Sequence, residues 1–229
     1  MKKTLGVYSA PPDRRYLILT GLIGLLAATL VGVGEFMLHF DSLARYGQGF
    51  DFFKGVTESR ATAGHFFGVL GVPLYVVGAW HIYLMMRPAN RFWAKLAFFV
   101  MAYGCIVGGV WIGSRATAAF LVNAIPEDAV ASAIGLYELR YESLLTVVRV
   151  AVLFVSGIFV WLVLTGRSNY PRWMATLNPI VLILASFLVF WLVPEIGKYL
   201  MPIALNVAYF ILFSVSTIIA ARSYIGASQ

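Results

Sequence analysis

YLILTGLIGLLAATLVGVGEFML, residues 16–38, has only Thr20, Thr29 and Glu35 to interrupt its apolar and small side chains beyond the leading Tyr16. A hydrocarbon core of about 30 Å is crossed by about 20 helical residues, so this stretch is long enough to span a bilayer. Five further stretches meet or approach the same length: 63–86, 93–121, 143–165, 173–193 and 200–221. Together they predict an all-α fold, a polytopic bundle of six transmembrane helices. The composition agrees, with 61% hydrophobic and 12% charged residues in 229. The connections near 39–62 and 122–142 are too short for a separate domain, so residues 1–229 read as a single membrane domain.

In a soluble protein a net charge of +7 would raise the question of nucleic acid. Here it reads as topology, because Lys and Arg collect on cytoplasmic loops, and no nucleic-acid partner is expected. With the N-terminus inside, one set of loops holds Lys2, Lys3, Arg14, Arg15, Arg87, Arg91, Lys95, Arg167, Arg172 and Arg222, with Asp13 as its only acid. The other set holds Glu35, Asp41, Asp51, Glu58, Glu127, Asp128, Glu138, Glu142 and Glu195. Both termini are therefore expected in the cytoplasm. Tyr16, Trp93, Trp173, Tyr199 and Tyr224 suit anchoring at the membrane interfaces. The basic N-terminus resembles the start of a signal peptide, but the run after it is of spanning length and lacks a small-x-small cleavage site, so the first helix is expected to stay. The single Cys105 excludes an internal disulfide and a cysteine metal cluster.

Glycines recur at helical spacing: Gly64, Gly68, Gly71 and Gly78 in the second stretch, and the pairs Gly104/Gly108 and Gly109/Gly113 in the third. Small residues so spaced let backbones approach closely in lipid, which suits packing within the bundle and, as an alternative, a homodimer. Pro73 should kink the second helix. No internal repeat of the transporter kind is found. The first outer loop carries Phe50, Phe52 and Phe53 among glycines and is suited to lie on the membrane surface as a lid.

The ionisable residues fall in one layer. At a rise of about 1.5 Å per residue, Glu35 and His39 lie near the outer end of helix one, with His65 and Arg115 at the same level. Glu138, Glu142 and Arg149 form a stripe on helix four, and Asn206 sits at a similar depth on helix six. Ionisable groups inside a membrane are paired or functional. One reading is a structural network, with Arg149 paired to Glu35 and Arg115 to Glu142 or Glu138, fixing helix register. The other is an outward-facing polar pocket. Glu35, His39 and His65 invite a metal reading, but the arginines nearby repel a cation and no HExxH motif is present; no metal and no cofactor are expected. Arginine forks bind oxyanions in pairs, which favours an anionic amphiphile or lipid as ligand. Glu35, His39, His65 and Glu142 are then the acid–base candidates, and Arg60, Arg115, Glu138, Arg149 and Asn206 the ligand-binding ones. His81 reads as bonded to a neighbouring helix, about 24 Å from His65 and so unable to share a metal with it. Asn178-Pro179 reads as a helix cap and first position.

Gly34-Glu35, Ser59-Arg60, the run Gly78-Ala79-Trp80-His81-Ile82-Tyr83, Leu177-Asn178-Pro179, and Pro202 with Asn206 give the chain its resemblance to a family of small six-helix bacterial membrane proteins of unknown function. In that family Asp commonly stands at the position of Glu35, and a His often lies near the position of Arg115, where this chain departs. The resemblance implies the topology, a place in the bacterial inner membrane, and attention to Glu35, Arg60 and His81. It implies no reaction. A non-enzymatic membrane subunit or transport component remains the alternative to a ligand-binding or processing protein.

Overall fold

A computed structural model of the chain describes residues 13–222, with the side chains of Glu127 and Asp128 left out; Lys2, Lys3 and Tyr224 lie outside the described residues. Every regular element among them is helical. In chain order these are α1 (Arg14–His39), α2 (Glu58–Met86), α3 (Arg91–Ala124), α4 (Glu127–Tyr137), α5 (Ser143–Leu164), α6 (Pro179–Leu192), α7 (Pro194–Leu200) and α8 (Ala204–Arg222). Five helices are long and apolar enough to cross a membrane: α1, α2, α3, the run Ala129–Leu164 ending in α5, and the run Pro194–Arg222 ending in α8.

The fifth apolar stretch differs from its expected length. Arg172–Leu177 is a 3-10 turn, and α6 has 14 residues, roughly 21 Å at helical rise. Proline sets both limits. Pro179 occupies the first position of α6, with the Asn178 side chain accepting from the amides of Ile180 (3.0 Å) and Val181 (3.3 Å) as the expected cap. Pro194 opens α7 just beyond the other end. The segment expected as a loop near 122–142 is largely helical: α4 passes through a π turn, Glu138–Glu142, directly into α5. Pro73 stays inside an unbroken α2.

The helices pack in the order α5–α3–α2–α1–α8–α6, and α6 touches α5 only sparsely. The ring is thus open on one side. Glycines set the closest approach, between α1 and α2. A Cβ on Gly34 would lie 2.6 Å from the Gly68 amide nitrogen and 2.7 Å from the Gly64 oxygen, both backbone atoms. On α3, Gly104 faces Ala151 of α5, while Gly109 faces Val72 of α2. The small-residue stripes that would suit a homodimer are occupied inside this chain.

One end of the bundle gathers the starts of α1 and α3, the end of α2 and the turn after α5. Its core is polar at one point. His81, fully buried, bonds Thr20 of α1 through Nδ1 (3.2 Å) and Ser216 of α8 through Nε2 (2.7 Å), and Ser216 also meets the Tyr170 hydroxyl (2.7 Å). The Thr20 hydroxyl already donates to the Leu17 and Tyr16 carbonyls, so it accepts from His81. His81 therefore carries a proton on Nδ1, tying three helices as expected of it.

Candidate functional site

At the other end, α3 carries Arg115 into the core, where it is 4% exposed. Its Nη1 pairs with Glu142 from the π turn, and its Nε donates to His39 Nε2 on α1 at 2.9 Å. A guanidinium only donates, so His39 is an acceptor at Nε2 and carries its proton on Nδ1. Trp111 donates its indole N–H to Glu142 at 3.2 Å. Four aromatic rings enclose the guanidinium carbon: Trp111 at 4.7 Å, Phe53 at 4.9 Å, Phe50 at 5.3 Å and Phe52 at 5.6 Å. Cation–π attraction of this kind strengthens as water is excluded. The phenylalanines of the α1–α2 loop, read from sequence as a surface lid, thus fold inward over Arg115.

The loop has its own lock. Arg45 grips Asp41 with both ends of its fork, at 2.7 and 2.9 Å, and the Leu43 and Arg45 amides donate to the same carboxylate. These bonds, led by the Arg45 side chain, hold the Asp41 carboxyl down at about 2. Tyr46 then donates to the Lys198 carbonyl at 2.9 Å, and Asn123 of α3 donates to Phe53 O at 2.9 Å, fastening the loop to α7 and α3. Gly49 and Gly55 have φ of +59° and +85°, which glycine alone adopts without strain.

Below this layer lies a cavity of about 430 Å³, bounded by α1, α2, α3, α5, α6 and α8 beside the open α5–α6 side. Its walls are mostly apolar, as in small-molecule sites generally. Its polar groups are few and specific. The Tyr75 hydroxyl donates to Asn206 Oδ1 at 2.7 Å, which turns the Asn206 amide nitrogen toward Glu35 Oε2 at 2.6 Å. The Glu35 Oε1 oxygen has no hydrogen-bond partner among the described residues, and Glu35 lines the cavity. Arg149 lines the same cavity, is exposed, and has no ion pair or hydrogen bond among the described residues.

The residues singled out from sequence therefore divide into groups. Arg115, Glu142 and His39 form one closed cluster, with Arg115 on Glu142 as expected. Glu35, Asn206 and Arg149 share the cavity, but Glu35 bonds Asn206 and not Arg149. The other three stand apart. His65 bonds the Gly113 carbonyl at 3.1 Å. Arg60 donates to the carbonyls of Phe36 (3.3 Å) and Phe40 (2.6 Å), where it caps the end of α1. Glu138 is exposed, and its side chain makes no hydrogen bond or ion pair among the described residues. Among the described residues no three metal-ligating side chains converge. Sequence reasoning passed over Tyr75, Trp111 and Tyr137, which act through one polar atom on a large apolar body. Tyr137 meets Ser114 at 2.8 Å beside the Arg115 cluster. The signal available was an aromatic within helical reach of each buried ionisable group.

An all-α protein with long membrane-compatible helices, a satisfied arginine cluster at one end and a side-opening cavity beneath it is the class that fold and site define. The chain belongs to DUF6796, a family of unknown function whose model matches residues 6–223, in line with the uncharacterised family it resembles in sequence. Comparison with curated proteins and with solved structures gave no match.

Proposed function

We propose that this is a multi-pass protein of the bacterial inner membrane, with six crossings and both termini cytoplasmic, that binds or processes an anionic amphiphile in the cavity of its outer half. Arg149 supports this most directly. It stands on a membrane-compatible helix, beside a mostly apolar cavity, with no ion pair among the described residues. An arginine in hydrocarbon is expected to be paired, and its planar fork suits a phosphate or carboxylate. The loop-charge asymmetry supports the orientation: Asp41, Asp51 and Glu58 lie at the cavity end, and Arg14, Arg87, Arg91 and Arg172 at the other.

The anion-binding role, read from sequence for both Arg115 and Arg149, narrows to Arg149, because Arg115 is paired with Glu142 and caged by aromatic rings. Arg115, Glu142 and His39 support the second reading, a structural membrane subunit, for their own layer only. Of the acid–base candidates, Glu35 is the one that lines the cavity. Native mass spectrometry of protein purified in mild detergent tests the proposal. An acidic amphiphile should stay bound to the wild-type chain and be lost from Arg149→Gln, while Arg222→Gln at the opposite end keeps it. Equal retention by all three would overturn the reading.

A further inference from the structure

We infer that the bound amphiphile has a zwitterionic headgroup, its anion on Arg149 and its ammonium on Glu35. The inference rests on the amphiphile reading above and narrows the ligand class of that same site. An acidic and a basic side chain line one cavity: among the described residues Glu35 hydrogen-bonds only the neutral Asn206, and Arg149 makes no hydrogen bond or ion pair. They are also not bonded to each other. A ligand that was only anionic would satisfy Arg149 and bring like charge toward Glu35. One that was only cationic would do the reverse. A single headgroup with both charges complements both residues, and electrostatic complementarity of this kind sets specificity.

The Glu35 end is built for an ammonium in particular. The Tyr75 hydroxyl fixes which way the Asn206 amide faces, and that amide engages Oε2, leaving Oε1 for the ligand. A carboxylate accepts and an ammonium donates up to three bonds, so the match is direct. Tyr75 and Tyr209 line the same cavity, and aromatic rings attract a cation. The headgroup chemistry is shared by a phosphoethanolamine lipid and by a free phosphoethanolamine, and the experiment separates them.

Wild-type protein in detergent is offered phosphatidylethanolamine and phosphatidylglycerol with identical acyl chains, and retention is read by native mass spectrometry. The expected result is a preference of about tenfold for the ethanolamine lipid, equivalent to about 1.4 kcal/mol. N-acetylation of that lipid, which removes the ammonium and leaves the protein untouched, should abolish the preference. Glu35→Gln should bring ethanolamine-lipid retention down to the phosphatidylglycerol level, whereas Arg149→Gln lowers both. Equal retention of the two lipids by the wild type, or a preference that survives N-acetylation, overturns the zwitterion inference; if both lipids are still lost with Arg149→Gln, the amphiphile reading stands without it. Soluble phosphoethanolamine binding as tightly as the lipid would leave the zwitterion site intact and overturn the amphiphile reading instead.

Discussion

Arg115 and Arg149 show how one residue type on neighbouring helices acquires opposite roles. Arg115 reaches a carboxylate, a histidine nitrogen and four rings, so its charge is matched by groups of the chain itself. Breaking its pair with Glu142 should cost about 1–3 kcal/mol, because the remaining group is held away from water. Arg115→Gln and Glu142→Gln should each lower the melting temperature in detergent, and the double variant should cost less than the sum; additive losses would show that the two are not coupled. The pairing of Arg115 with Glu142 was legible in the sequence from shared depth. That of Glu35 with Arg149 was read the same way and is not made. Depth along a helix says nothing about lateral neighbours, and Asn206 of α8 reaches Glu35 first. Asp41 gives a pH prediction with a definite sign. Its carboxyl is held below its ordinary value of 3.8, at about 2, so its contribution to loop order is complete above pH 4 and lost as pH falls through about 2. Asp41→Asn should therefore loosen the outer loop at neutral pH, seen as faster proteolysis after Arg45, while wild type stays protected down to about pH 4; an unchanged cleavage rate in the variant would remove the lock from the account.

Glycine spacing is the information that best survives from sequence to helix packing. The run Gly64, Gly68, Gly71, Gly78 does mark the closest interface, though only the structure shows that α1 is the partner. Gly34→Ala should destabilise by roughly 1–3 kcal/mol, as overpacking does, since the new methyl meets backbone and not a side chain that can turn aside. Gly157→Ala on the open face of α5 meets nothing within 4 Å. It should be neutral or stabilising by up to about 1 kcal/mol, the helix-propensity difference. A thermal-shift comparison of the two decides this, and a Gly34→Ala protein as stable as Gly157→Ala contradicts the packing described. Element ends were less legible. Hydropathy alone runs through residues 173–193 without a break, whereas Pro179 and Pro194 confine α6 to 14 residues. The short α6 is one reason that the α5–α6 side of the bundle stays open. The α1–α2 loop, read from sequence as a lid on the membrane surface, folds inward over Arg115 instead, through contacts with α3 and α7 that no local pattern encodes.

At the scale of the whole molecule, the excess of basic residues over acids at one end of the bundle and the gathering of acids at the other, beside bases such as Arg45 and Lys198, support an even number of crossings with both termini inside. Reporter fusions after Ala89 and Gln229 should read cytoplasmic and those after Gln48 and Asp128 periplasmic; a periplasmic C-terminus would show that α6 does not complete a crossing. The central claim is that an amphiphile enters the open ring of helices and lies in its cavity, not merely against its outer belt. A phospholipid with a photoactivatable group in its acyl chain, cross-linked to the protein in the membrane and mapped by peptide mass spectrometry, tests it most directly. The buried, cavity-lining residues Val152 and Val155 should be labelled, with labelling reduced in Arg149→Gln. Labelling confined to outward-facing side chains such as Phe154 and Leu188, and unchanged in Arg149→Gln, would contradict the account.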